Sequence, residues 1–282
     1  MGCFLPMEPS LPPGLYIVAT PIGNLSDLSP RAAETLRRAD HILAEDKRVT
    51  AKLLAHAGAK APMTTYHDHS GDEDRRRALD MIASGAVALV SDAGTPLISD
   101  PGYKLVRAAR AAGLAVFTIP GPCAAIAAMT VAGLPTDRFL FAGFLPAKSK
   151  ARRDAIAELG TIKASLVFYE GGPRLRDSLA DLAAVLGTRD AAVVREISKL
   201  HEECVTGTLT ELAARYEKAP PRGEIVIVVG PPPERETSEQ DLDAALAESL
   251  ISLSPSRAAA DVADRLGISR KRAYARALEL SR

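Results

Sequence analysis

Between residues 14 and 121 the chain alternates short apolar runs with stretches of helical spacing, and that alternation limits the fold more than any other feature. The runs are GLYIVAT (14–20), HILAED (41–46), AVALVSD (86–92) and AVFTIPG (115–121), with PMTTYH (62–67) as a weak strand between the second and third. Helix signals fall between them. In SPRAAETLRRAD (29–40), Ser29 stands at the N-cap and Pro30 at the first helical position, where its missing N–H costs nothing. VTAKLLAHAG (49–58) is closed by Gly58, GDEDRRRALDMIASG (71–85) opens with acids that suit a helix dipole, and YKLVRAARAAG (103–113) completes the set. Five strands with intervening helices predict a mostly parallel sheet covered on both faces.

Pro120, Gly121 and Pro122 break the pattern, and a second set of elements follows. CAAIAAMTVAG (123–133) is apolar all round, which predicts a helix buried between two lobes. Strands are expected at 138–145, 165–171, 191–197, 202–209 and 224–230, with helices near 149–159, 174–187 and 209–218. The last three strands have short connections, so this sheet should be mixed. PPPERETSEQ (231–240) has linker composition. Beyond it, SPSRAAADVADRLGISRKRAYARALEL (254–280) holds two helix patterns about Gly267, with Ser269 capping the second, which is the helix-turn-helix layout. The predicted class is therefore α/β. A disordered lead-in (1–13) precedes an N-terminal lobe with a mostly parallel sheet (14–121) and a C-terminal lobe with a mixed sheet (122–232). A linker and helix (233–253) and a small helical module (254–282) follow.

Composition narrows the function classes. Net charge is zero over 282 residues, so a polyanion must be met by local basic patches. Such a patch exists in 254–282, where Arg257, Arg265, Arg270, Lys271, Arg272, Arg276 and Arg282 outnumber Asp261, Asp264 and Glu279. No apolar run approaches the 18 or so residues of a membrane span, and the start MGCFLPMEPSLPPG lacks a signal-peptide pattern. Cys3, Cys123 and Cys204 lie far apart, which fits a reduced cytoplasm and gives no metal spacing. His67, Asp68 and His69 form the one close histidine pair, and without a further cluster they read as loop residues. Phosphate-binding, dinucleotide-binding and hydrolase-elbow motifs are all missing from the sequence.

What remains are Gly/Pro loops at strand ends: TPIGNLSDLS (20–29), SDAGTPLISDPG (91–102), IPGPCAA (119–125) and YEGGPR (169–174). The carboxyl ends of parallel strands point to one rim, so these loops can converge on a cleft between lobes. None carries a lysine cluster, which suits a ligand gripped by backbone and small side chains better than a phosphate-rich one.

The same loops, in this order, resemble those of the tetrapyrrole methylase superfamily of two-lobed S-adenosylmethionine-dependent methyltransferases. Within it, LYIVATPIGNLSDLSPRA, AEDKRVT, SDAGTPLISDPGYKLV, IPGPCAAIAA, GLPTDRFLFAGFLPAKSKARR, FYEGGPRL, REISKLHEE and GTLTEL closely resemble the ribosomal RNA small subunit methyltransferase I family. That resemblance covers about three quarters of the chain, and the C-terminal helices also look like a module of that family. It implies methylation of a cytidine ribose 2′-hydroxyl in 16S ribosomal RNA near the decoding centre, on free RNA or the small subunit. It also implies S-adenosylmethionine as cofactor, a homodimer, no metal and a cytoplasmic location. Two positions depart from the family pattern: Lys47 stands where Thr is usual, and Pro173 where His is usual.

Carried over by motif, the resemblance implies cofactor contacts at Ile22, Asp92, Ala93, Gly94, Thr95, Ile98, Cys123, Ala124, Glu170, Val205 and Ile225. Asp100 and Lys199 are the catalytic candidates. Asp100 is placed as general base, against an alternative role as cap of the helix at Tyr103. Lys148, Lys150, Arg152 and Arg153 in an expected exposed loop, with Arg270, Lys271 and Arg272, are the RNA-contact candidates. Two rival functions are a methyltransferase of a tetrapyrrole ring and a ligand-sensing DNA-binding regulator.

Overall fold

The structure is a computed structural model that describes residues 10–67, 71–218, 221–233 and 239–281. Expectations on residues 1–9, on Asp68 and His69, on residues 234–238 and on Arg282 fall outside the described residues. The chain divides into two compact units, with the break between Pro232 and Pro233.

In the first unit, β1 (Gly14–Val18), β2 (His41–Ala44), β3 (Met63–Thr65), β4 (Ala86–Val90) and β5 (Val116–Ile119) form one sheet in the order β3-β2-β4-β1-β5, and every pairing is parallel. The helices between them are α1 (Pro30–Arg38), α2 (Lys47–Ala57), α3 (Asp72–Ser84) and α4 (Tyr103–Ala111). Ser29 Oγ accepts from the Ala32 N–H (3.1 Å) and starts α1; Gly58 ends α2 with φ 70°. Alternate strand residues enter two cores: Tyr16, Val18, Ile42 and Val90 on one face, Leu15, Leu43, Val87 and Leu89 on the other. Burial on both faces is why these strands read as continuous apolar runs instead of alternating ones.

The second sheet has the order β6-β7-β10-β8-β9. Its strands are β6 (Phe139–Phe144), β7 (Ser165–Gly171), β8 (Asp190–Arg195), β9 (Glu203–Thr208) and β10 (Glu224–Val229). β6 pairs parallel with β7, and the other pairings are antiparallel, so this sheet is mixed as expected. Leu166, Phe168, Ile225, Ile227 and Val229 pack toward α6 (Ser149–Leu159), α7 (Gly172–Leu186) and α8 (Leu209–Tyr216). Truncating one such leucine or phenylalanine to alanine costs about 2–5 kcal/mol.

The opposite face meets α5 (Ala124–Val131). Ala125, Ala128 and Met129 pack on Val167, Val194, Val226 and Val228. Only that face of α5 is covered, because one sheet can bury only one stripe of a helix; Ile126 and Val131 stay 48% and 45% exposed. The expectation of a helix buried all round is corrected accordingly.

In the second unit, α9 (Glu239–Leu250), α10 (Pro255–Leu266) and α11 (Arg270–Leu280) share one small core of Leu242, Leu246, Ala259, Val262, Ala273 and Ala277. Gly267 (φ 66°) closes α10, and Ser269 Oγ caps α11 through the Arg272 N–H (3.2 Å). The sequence pattern sets 233–253 apart from this module. The packing of Leu242 and Leu246 places α9 inside it.

Candidate active site

The loops after β1 and β4 lie side by side because their strands are neighbours. The Thr20 N–H donates to the Gly94 carbonyl (2.8 Å), and the Gly94 N–H donates back to Thr20 (3.1 Å). Thr95 Oγ1 donates to the Pro122 carbonyl (3.0 Å) and ties in the loop after β5. Gly94 has φ 81°, and a Cβ there would meet Ile22 Cγ2 at 3.3 Å. Position 94 therefore combines backbone that favours glycine with a near neighbour.

These loops wall a cavity of about 270 Å³. Ile22, Ala93, Gly94, Thr95, Ile98, Ser99, Asp100 and Ala124 line it on one side, and Phe144, Tyr169, Glu170, Gly171, Ile197, Glu224, Ile225 and Val226 on the other. The lining contains three carboxylates, Asp100, Glu170 and Glu224, and neither lysine nor arginine. An apolar slot with an acidic wall suits a ligand with a flat apolar part and a positive charge.

The structure thus brings eight of the eleven proposed cofactor residues to one cavity: Ile22, Ala93, Gly94, Thr95, Ile98, Ala124, Glu170 and Ile225. Cys123 is the N-cap residue of α5, with its sulfur 4.0 Å from the Tyr169 hydroxyl, one residue short of the lining. Asp92 and Val205 lie elsewhere, for identifiable reasons. Asp92 joins the β2 and β4 loops, accepting from the Asp46 N–H (3.1 Å), while its own N–H donates to Glu45 (3.3 Å). Val205 shares a core with the lining residue Ile225 but sits in the middle of β9, the edge strand, paired with Val193 of β8 and two strands from β10.

Asp100 lines the cavity and is half-buried. Burial pushes its carboxyl up to about 6; a hydrogen bond from Ser91 works against this, and the charges of Glu45 and Asp92 add to it. The helix-cap alternative is overturned. The N-cap of α4 is Gly102, not Asp100, and among the described residues no side-chain cap bond is formed there.

Lys199 sits where the lobes meet. Its ammonium donates to Glu196 (3.0 Å) and Glu224 (2.8 Å), and these bonds outweigh its burial and hold its pKa above the usual lysine value. A Cβ on Gly23 would collide with the Lys199 stem, so the first-lobe loop accepts that side chain only through a glycine. Ser198 Oγ donates to Asp27 of the same loop. Lys199, a catalytic candidate by sequence, is thus committed to two carboxylates.

Among the described residues, four non-glycine residues hold left-handed backbone: Leu97 (φ 75°), Ser99 (φ 64°), Glu196 (φ 51°) and Ser198 (φ 66°). Ser99 lines the cavity, and Glu196 and Ser198 flank the lining residue Ile197. Strain of this kind, about 1–3 kcal/mol per residue, persists where the surroundings over-determine it and gathers at functional sites.

Comparison with known proteins decides the family. Residues 14–213 match the family described as Tetrapyrrole (Corrin/Porphyrin) Methylases, and residues 236–281 match the RsmI C-terminal HTH domain. The chain is 56% identical to ribosomal RNA small subunit methyltransferase I of Erythrobacter litoralis, over 96% of each chain. It is 45% identical to the protein of the same name from Escherichia coli O157:H7, over 94% of each. The chain belongs to the ribosomal RNA small subunit methyltransferase I family. Among solved structures, uroporphyrin-III-C-methyltransferase of Thermus thermophilus matches with TM-score 0.55 and 20% identity, covering 77% of this chain and 94% of that one. A diphthine synthase matches with TM-score 0.60 and 17% identity, covering 77% and 89%. These two show the shared two-lobed fold.

The family departures have local explanations. Pro173 stands in the first turn of α7, where a helix needs no N–H, and Lys47 opens α2 behind the Asp46 cap. The basic loop at 147–154 needs a larger correction. Arg152 is not exposed: its side chain is 5% accessible and pairs with Asp181 (2.7 Å). Arg153, half exposed, binds the same carboxylate (2.5 Å); Lys148 and Lys150 are exposed, and Lys150 makes a solvent-exposed pair with Asp154 (3.3 Å) that an RNA phosphate can replace. In the second unit Arg270, Lys271 and Arg272 are exposed at the start of α11. Arg265 pairs with Glu248, and Arg276 pairs with Asp243. Sequence reasoning missed Tyr169 and Glu224 as lining residues. Their signal was the place of each at an end of a second-lobe strand, next to the expected Glu170 and Ile225.

Proposed function

We propose that this protein transfers a methyl group from S-adenosylmethionine to the 2′-hydroxyl of a cytidine ribose in 16S ribosomal RNA, near the decoding centre. The observation that carries the reading is Asp100, a carboxyl pushed up to about 6 in an acid-walled cavity under the strained loop 91–102. The cofactor supplies an electrophilic methyl on a positively charged sulfur. The residues fit that group. Gly94 leaves a cradle that a Cβ would narrow against Ile22, and the Asp100 carboxylate suits a cation, while Glu170 and Glu224 are paired with Arg174 and Lys199.

Ala93, Gly94, Thr95 and Ile98 would hold the amino-acid part and ribose; Ile22, Ile225 and Val226 would flank the adenine, with Glu170 at its edge. Ala124, at the start of α5, would close the site, with Cys123 just behind it. Asp100 would take the proton that the ribose hydroxyl loses, a service worth about 100- to 10,000-fold in rate. A base near 6 is ionised at neutral pH yet more basic than an ordinary aspartate. Lys199 would hold Glu196 and Glu224 in place and keep the lobes in register, without entering the chemistry. Lys148, Lys150 and the α11 residues Arg270, Lys271 and Arg272 would meet RNA phosphates, which position RNA without reading it. The open faces of Ile126 and Val131 on α5 suit a homodimer contact. A cytoplasmic location follows from an RNA substrate.

Methyl-labelled S-adenosylmethionine, supplied with unmethylated small ribosomal subunits, naked 16S RNA, a tetrapyrrole precursor or DNA, tests the reading. Label should enter ribosomal RNA at a ribose. Label in the tetrapyrrole alone, or in none of the four, contradicts it.

A further inference from the structure

Arg152 is a candidate RNA contact by sequence, yet it is buried and spends its guanidinium inside the protein. Its Nε donates to Asp181 (2.7 Å), and its terminal nitrogen donates to the backbone carbonyls of Pro146 (3.3 Å) and Ala147 (3.0 Å). Asp181 is almost fully buried in α7. Burial pushes its pKa up, but hydrogen bonds from Arg153, Ser149 and Arg152 prevail and hold it below the usual range. A second arginine works beside the first. Arg174 donates to the Leu145 carbonyl and lies 3.2 Å from Glu170, which lines the cavity.

Three consecutive carbonyls, 145 to 147, are therefore gripped by two arginines anchored on buried carboxylates. The gripped segment begins after Phe144, another cavity residue, and runs directly into Lys148. A buried ion pair is weak as a stabilising device, because taking both charges out of water costs about what their attraction returns. Its use is more often to impose one arrangement. Arginine suits this role because separate nitrogens of one planar group hold the carboxylate and the carbonyls in a fixed geometry, which the single rotatable nitrogen of a lysine does not impose.

We propose that Arg152 is a positioning residue. Anchored on Asp181, it fixes the backbone at 146–147 directly, so that Lys148 and Lys150 meet ribosomal RNA phosphates at a set distance from the cavity. The proposal rests on the RNA reading above.

A mutant cycle on unmethylated small ribosomal subunits tests it. Lys148→Ala with Lys150→Ala should raise KM for the subunit about tenfold and reduce the salt slope by about 0.7 for each phosphate no longer neutralised. Arg152→Met should raise KM by a similar factor, with cofactor affinity unchanged by calorimetry. Adding Arg152→Met to the lysine double variant should then raise KM little further, because its effect acts through those lysines. Arg152→Lys, which keeps the charge beside Asp181, guards against loss of folding; it should melt like wild type and still show the raised KM.

Equal KM increases from Arg152→Met in both backgrounds overturn the proposal, as does a wild-type KM in Arg152→Lys. If the lysine double variant leaves KM and salt slope unmoved, the RNA role of this loop fails, and the positioning role falls with it. If only the arginine variants are silent, the RNA role stands and the positioning role alone is lost.

Discussion

The cavity has two strained edges made from different residues. The first-lobe loop 91–102 carries positive φ at Gly94, Leu97, Ser99 and Gly102, and it holds the candidate base. The second-lobe segment 196–202 carries positive φ at Glu196 and Ser198 and contains no glycine. In the first loop, glycine and proline set the path, and hydrogen bonds to Thr20 and Pro122 lock it. In the second, side chains impose the path. Glu196 accepts from the Glu224 N–H, Glu202 accepts from the Ser198 N–H, and Lys199 bridges two carboxylates. The contrast separates two jobs. The first loop shapes the surface a ligand touches; the second latches one lobe to the other at Asp27 and Gly23.

Breaking the first edge should have the larger effect. Gly94→Val puts a branched side chain at φ 81° against Ile22; the free loop then relaxes, and cofactor binding must restore a path strained by about 3 kcal/mol at most, or about 100-fold in affinity. Calorimetry with S-adenosylmethionine reads this directly, and near-wild-type affinity with an intact fold would remove the loop from the site. Breaking the latch should matter less. Gly23→Ala must push the Lys199 stem aside, so cofactor dissociation in stopped flow should speed up by about fivefold while chemistry with saturating cofactor holds. An unchanged dissociation rate would reduce the second edge to scaffolding.

The smallest effect sharpens the account of Asp100 through stability. Its folded pKa lies above its unfolded value, so its favourable contribution is complete below about pH 4 and is lost as pH rises through about 6. Above that pH the ionised carboxylate is a burden that an amide avoids. Asp100→Asn should therefore melt about 2 °C higher than wild type at pH 8, with the gap closing toward pH 4. A gap of opposite sign would mean that the native carboxylate is stabilised where it sits.

The same contrast explains what could be read from sequence. The centre of the first sheet was legible because its inner strands are buried on both faces and read as apolar runs, as Ala86–Val90 shows, whereas the edge strand Met63–Thr65 is short and partly exposed. The loop 91–102 was legible because glycine and proline announce unusual backbone. The latch was not. A positive φ at Glu196 or Ser198 depends on partners from β10 and from the loop after β1, distant in sequence and joined only by the fold. Arg152 failed for a related reason. In KSKARRD all four cations look alike, and only the position of Asp181 on α7, 29 residues on, selects which one is buried. Val205 lies outside the cavity because a motif marks a strand but not the strand order, and β9 is at the edge of the second sheet.

The pH dependence of single-turnover methyl transfer, with saturating S-adenosylmethionine and unmethylated small subunits, tests the central claim most directly. The account predicts a wild-type rate that rises about tenfold per pH unit up to roughly pH 6 and then levels. Asp100→Asn should run at least about 100-fold slower at pH 8 and lose that inflection. Matching rates and profiles for the two proteins would contradict Asp100 as the base, and with it the assignment of this cavity as the place where the methyl group is transferred.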